Sequence, residues 1–170
     1  MSYEFIELFA GIGGFRLGFE EAGCKCVFAS DWDKYAQKTY QANFGEKPNG
    51  DITKIKASDI PRFDILTGGF PCQPFSTLGD REGFDHETQG TLFYDIVRIL
   101  KHHKPKAFLL ENVPGLINHA NGSTFKTVIS SLKELDYQVH YKVIDSSLFG
   151  VPQKRKRVFI AGFIDKNLKF

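Results

Sequence analysis

Glu4-Phe5-Ile6-Glu7-Leu8-Phe9-Ala10-Gly11-Ile12-Gly13-Gly14 opens the chain with a short apolar run that breaks into glycines. A run of that length reads as a buried strand, and the glycines as a turn at its carboxyl end. The next residues have helical spacing: Phe15, Phe19 and Ala22 recur at four and three residues until Gly23 stops them. Strand, glycine turn and helix in that order form the first unit of an α/β domain.

Outward from this unit the pattern repeats. Cys26-Val27-Phe28-Ala29-Ser30 is a second strand ending at Asp31-Trp32-Asp33. Asp33 is placed to cap a helix whose Ala36, Tyr40 and Phe44 come every four residues before Gly45. Phe63-Asp64-Ile65-Leu66-Thr67 is a strand ending at Gly68-Gly69, and Ala107-Phe108-Leu109-Leu110 is another leading to Glu111-Asn112. Helices are predicted from Thr91 to Lys101, and after a Ser123 cap through Phe125, Val128, Ile129, Leu132 and Leu135. Two strands close the chain, around Val139 to Ile144 and Val158 to Ile164, with a basic turn between them. Strands alternating with helices predict a mostly parallel sheet. Pro71 to Gly90 has no clear periodicity and comes directly after a strand end; such a stretch is either a functional loop or a disordered one, and the residues at its base favour the functional reading.

Composition agrees with one folded domain. The 170 residues are 42% hydrophobic and 25% charged with 17 Phe, which excludes disordered and collagen-like classes. No segment approaches the roughly 18 apolar residues of a membrane span, and Met1 to Glu7 lacks the regions of a signal peptide. Three cysteines are too few for a disulfide framework and predict a cytoplasmic protein. Cys24 and Cys26 read as packing residues; they do not form a C-x-x-C pair, so no metal site is expected. A net charge of +2 leaves a nucleic-acid partner open.

Chemistry-bearing residues collect where strands end. The turn Gly11-Ile12-Gly13-Gly14 either is a plain tight turn or lets a ligand meet bare backbone at a helix start. It is not the dinucleotide fingerprint, since Arg16 stands where the last glycine would be. Asp31 at the next strand end suits a ribose hydroxyl pair, Trp32 suits stacking on adenine, and Asp51 suits an adenine amino group. With those neighbours the turn reads as part of a nucleoside-cofactor site. Cys72, in Gly69-Phe70-Pro71-Cys72-Gln73-Pro74-Phe75-Ser76, lies between prolines in a polar loop, a poor place for a core residue. It reads as a nucleophile rather than a buried hydrophobe. Glu111 emerges at the same sheet edge, as a cap or as a proton donor if burial raises its pKa. In Gln153-Lys154-Arg155-Lys156-Arg157 the two arginines share one side of an extended segment, either as a solvated face or returned to the site.

In order, Phe9-Ala10-Gly11-x-Gly13-Gly14, Gly69-Phe70-Pro71-Cys72-Gln73, Glu111-Asn112-Val113 and Gln153-x-Arg155-x-Arg157 resemble the cytosine-5 DNA methyltransferases. Trp32-Asp33-Lys34-Tyr35-Ala36-Gln37, Asn43-Phe44-Gly45-Glu46-Lys47-Pro48 and Gly50-Asp51-Ile52-Thr53 look like the bacterial restriction-modification branch. The resemblance implies a Rossmann-like α/β methyltransferase sheet with helices on both faces and an antiparallel last strand pair. It implies S-adenosylmethionine as cofactor and double-stranded DNA as partner. Phe9 and Trp32 would flank the adenine, Asp31 hold the ribose, and Asp51 with Ile52 read the adenine edge. Gly11, Gly13, Gly14, Pro71 and Leu92 complete the implied cofactor set. Cys72 would attack C6 of a flipped-out cytosine, Glu111 protonate N3, and Arg155 and Arg157 position the base and the loop from Cys72 to Leu92. Phe70, Gln73, Ser76, Asn112 and Gln153 are the implied substrate-binding residues.

The resemblance covers the whole chain, whereas the family continues past its Gln-x-Arg-x-Arg motif into a target-recognition domain. Residues 1–170 are therefore expected to be one catalytic, cofactor-binding domain, a truncated chain or one half of a split enzyme with a complementary C-terminal partner. A transfer RNA cytosine-5 methyltransferase and an inactive cofactor-binding remnant are the alternatives; a nicotinamide-dependent enzyme would leave Pro71-Cys72-Gln73 unexplained.

Overall fold

In the computed structural model, residues 2–71 and 92–168 are described. Strand β1 (Glu4–Leu8) pairs in parallel with β2 (Lys25–Ser30) on one side and β3 (Ile65–Gly69) on the other. β3 pairs in parallel with β4 (Ala107–Asn112). The last two strands, β5 (Gln138–Asp145) and β6 (Lys156–Phe163), form an antiparallel pair, and β6 also lies antiparallel to β4. The order is β2-β1-β3-β4-β6-β5, a six-stranded mixed sheet with its parallel half first in sequence.

Alternation along β1 decides what covers each face. Ile6 and Leu8 are fully buried in the larger apolar cluster, with Phe93, Ile96 and Leu100 of α3 (Leu92–His103) and Val128 and Leu132 of α5 (Ser123–Lys133). Phe5, one position out of phase, packs its ring 5.2 Å from Phe19 of α1 (Gly14–Glu21). Helix α2 (Lys34–Phe44) closes a smaller cluster in which Tyr40 meets Ala10 and Ala29. Among the described residues no helix is long and apolar enough to cross a membrane.

Helix starts reflect local chemistry, with one correction. Asp33 caps α2 as expected, its carboxylate accepting the Tyr35 and Ala36 N–H groups at 2.7 and 2.9 Å. Ser123 is not the cap of α5: Gly122 holds that position at φ 83°, and the Ser123 hydroxyl donates backwards to the Ala120 carbonyl at 2.8 Å. A glycine that tolerates the left-handed conformation took the capping place from the hydroxyl. The short helix α4 (Gly115–Asn118) and the single 3₁₀ turns Ile52–Lys54 and Ala57–Asp59 were not foreseen. Elements that short carry no measurable periodicity.

Candidate active site

Four parallel strands ending at one edge would gather their exits there in any α/β sheet. Here β6 runs the other way, so it starts at that edge, and Arg157 on it lies one register step from β4's last residue (Asn112 faces Val158). The Arg157 Nε donates to Glu111 Oε1 at 2.7 Å, with both side chains about four-fifths buried. The expected return of one arginine to the site is thus a consequence of antiparallel pairing. On the other side of Glu111 stands Gly69, its partner across the β3–β4 ladder. A Cβ there would come within 3.2 Å of Glu111 Oε2, so the absent side chain leaves room for the carboxylate.

Phe70 and Asn112 lie beneath this pair. The Asn112 side-chain amide donates to the Phe70 carbonyl at 2.9 Å, and its oxygen accepts the Val113 N–H at 2.8 Å. Phe70 packs its buried ring 5.5 Å from Phe93. Both residues hold the backbone from which exposed Pro71 leaves β3. Cys72, Gln73, Ser76 and the loop from Cys72 up to Thr91 lie outside the described residues. Arg155 is exposed and its backbone N–H donates to Asp145 at 3.1 Å; Gln153 is also exposed, its carbonyl accepting the Ser146 hydroxyl at 2.6 Å. These two belong to the turn before β6, and these hydrogen bonds join them to Ser146 and Asp145 rather than to Glu111.

Farther along the edge, Phe9, Ser30, Asp31, Trp32, Asp51, Ile52 and Leu92 line one narrow hollow. All but Ser30 were expected as ligand-binding residues. Phe9 leaves β1 at φ 54°, a conformation that costs a bulky side chain of order 1–3 kcal/mol and concentrates at functional sites. Asp31 is buried, and each of its oxygens accepts one backbone N–H: Oδ2 from Gly11 at 2.7 Å and Oδ1 from Asp33 at 2.8 Å. A carboxylate has about four acceptor positions, so both oxygens keep capacity for a ligand. Trp32 is 71% exposed, an unusual cost for so large a ring unless a partner covers it. Partial burial pushes the Asp51 carboxyl up, but the Thr53 hydroxyl and N–H and nearby Lys54 outweigh it and hold it below the usual range. Asp51 therefore stays an ionised acceptor. Gly11, Gly13 and Gly14 do not line the hollow; they form the turn beside it.

Sequence reasoning missed Ser30. Its side-chain oxygen is fully buried with no hydrogen-bond partner among the described residues. The available signal was its place, the last residue of β2 immediately before Asp31. Cys24 and Cys26 are free and half-buried, in keeping with packing roles, and burial pushes the Cys26 thiol up.

The family described as C-5 cytosine-specific DNA methylase matches residues 3–169. Type II methyltransferase M.BsuFI of Bacillus subtilis is 60% identical over 159 residues, which is 94% of this chain and 39% of that protein. M.HaeII of Haemophilus aegyptius is 60% identical over 96% of this chain and 51% of its own length. M.HhaI of Haemophilus parahaemolyticus is 50% identical over 94% and 48%. Among solved structures, a Spodoptera frugiperda DNMT2 variant superposes with a TM-score of 0.79 at 27% identity, over 99% of this chain and 52% of that one. The chain thus spans about two-fifths to half the length of the curated relatives it matches.

Proposed function

Because the chain belongs to the C-5 cytosine-specific DNA methylase family, we propose that it carries the cofactor-binding and catalytic portion of a type II DNA (cytosine-5) methyltransferase. The observation that carries this reading is the Glu111–Arg157 pair at 2.7 Å, on the sheet edge shared with the hollow around Asp31. Two motifs far apart in sequence converge there, beside the strand exit that leads to Cys72.

The hollow's residues suit S-adenosylmethionine. Apolar side chains of Phe9, Trp32, Ile52 and Leu92 would hold the flat adenine, and Asp31 has free acceptor capacity for the ribose hydroxyls. The buried, unpartnered Ser30 hydroxyl is a polar group that a bound nucleoside would satisfy. When bound, the cofactor supplies a methyl group on a positively charged sulfur.

The chain's own residues then act on the cytosine. The Cys72 thiolate adds to C6, which puts negative charge into the ring and makes C5 nucleophilic. Glu111 holds the proton at N3, where that charge is received, and Arg157 holds Glu111 in place beside the base. After C5 carries the methyl group, loss of the C5 proton and expulsion of the Cys72 sulfur restore the ring. A stacked cytosine cannot reach such an edge, so the base is flipped out at a cost of a few kcal/mol. The partner in this reading is double-stranded DNA.

Methyl-labelled S-adenosylmethionine and a cytosine-containing duplex test the proposal, with the chain alone and with a relative's C-terminal portion supplied in trans. The expected product is 5-methylcytosine, with Cys72→Ser at least about 10³-fold slower. Methylation of an exocyclic nitrogen, or no transfer under either condition, would overturn it.

A further inference from the structure

Arg16 marks the departure from a dinucleotide fingerprint, and the catalytic reading gives it no task. In the structure it is 7% exposed, an unusual burial for a guanidinium. Its Nε donates to Glu20 at 2.8 Å; its Nη1 donates to the Tyr40 hydroxyl at 3.3 Å and to Glu46 at 3.1 Å. The guanidinium carbon also lies 4.5 Å from the centre of the Phe44 ring. Arg16 therefore ties α1 to the second half of α2.

Phe44 reaches the glycine turn from the same side. Gly13 sits at φ 93°, and a Cβ built on it would lie 2.1 Å from the Phe44 ring. The ring occupies the space that any side chain at 13 would need. Next to it, the Asn43 amide donates to the Ile12 carbonyl at 3.1 Å. The residues just before α2 hold the turn's other end, through the 2.7 Å bond from the Gly11 N–H to Asp31. From β1, Glu7 accepts the Arg16 N–H at 3.3 Å and so fixes the start of α1.

We infer that α2 is the positioning element of the glycine turn beside the hollow, with Asn43, Phe44 and Arg16 holding residues 11–14 in the shape that the edge of the cofactor site requires. The turn combines positive φ at Phe9, Gly11 and Gly13, a set of conformations that a free chain would leave readily. Affinity depends on the ordering cost left to pay at binding. A turn braced from both ends of one helix has that cost removed during folding. Phe44 and Arg16 do not line the hollow; they act through the turn.

The inference rests on the cofactor reading, and two readouts separate their failures. The first is amide hydrogen exchange of residues 11–14 in the ligand-free chain. The second is affinity for S-adenosylhomocysteine, monitored by the fluorescence of Trp32, the only tryptophan. Phe44→Ala is expected to speed exchange at residues 11–14 by at least tenfold and to weaken binding about tenfold, while Phe44→Tyr restores both. Val128→Ala, at a buried position of α5 away from the turn, should lower thermal stability and leave both readouts unchanged. The Gly13→Ala penalty in affinity should shrink in the Phe44→Ala background, where the clashing ring is gone. Unchanged exchange and affinity in Phe44→Ala, or equal changes in Val128→Ala, would overturn the inference. If the wild-type chain binds no S-adenosylhomocysteine, the cofactor reading fails and takes the affinity claim with it; the exchange comparison still decides whether α2 braces the turn.

Discussion

Glu7 shows how one buried side chain sets a pH dependence. It is 1% exposed on β1, and burial pushes its carboxyl up to about 7 despite the Arg16 and Phe15 N–H groups and the Tyr40 hydroxyl nearby. The unfolded value is about 4.3, so between these limits the folded state keeps a proton that the unfolded state has released. Stability from this group is fully present below about 4.3 and is lost as pH rises through about 7, by at most about 4 kcal/mol. Urea unfolding across pH 5 to 8 should show that fall in the wild type and a flatter profile in Glu7→Gln. An identical slope in the variant would contradict the assignment. Glu7, Arg16 and Ser30 were not legible as site residues in the sequence, because their roles come from what packs on them after folding. Asp31, Trp32 and Glu111 were legible because each stands at the carboxyl end of an apolar run, where an α/β sheet leaves side chains free.

Elements were legible in proportion to their length. The alternation of buried strands with helices such as α2 and α3 carried its own period, and Asp33 announced its helix through capping chemistry. The antiparallel course of β6 was legible only through resemblance, since a strand's direction depends on its partner rather than on its residues. That course matters, because it alone carries Arg157 to Glu111. It also creates a close approach in the sheet: a Cβ at Gly162 on β6 would lie 2.1 Å from the Phe108 ring of β4. Gly162→Ala should therefore displace the Phe108 ring in the core and cost about 1–3 kcal/mol by urea denaturation. A variant as stable as the wild type would mean that the ring has room to yield.

At the scale of the molecule, the sheet divides labour along one edge. Its parallel half, β2-β1-β3, offers the hollow and the braced glycine turn; the junction of β3, β4 and β6 offers Glu111, Arg157 and the exit towards Cys72. In the proposed reading, placing both on one sheet fixes the relation between a methyl donor and a cytosine without a hinge between them. The relatives that match are about twice as long or more. The measurement closest to the central claim is mass spectrometry of the chain after reaction with S-adenosylmethionine and a duplex containing 5-fluorocytosine. Fluorine at C5 cannot leave as the proton does, so the sulfur–C6 bond persists. A base adduct on the peptide holding Cys72, at least about 10²-fold slower to form in Glu111→Gln, is the predicted result. An adduct on Cys24 or Cys26 instead, or methyl transfer without any sulfur adduct, would contradict it.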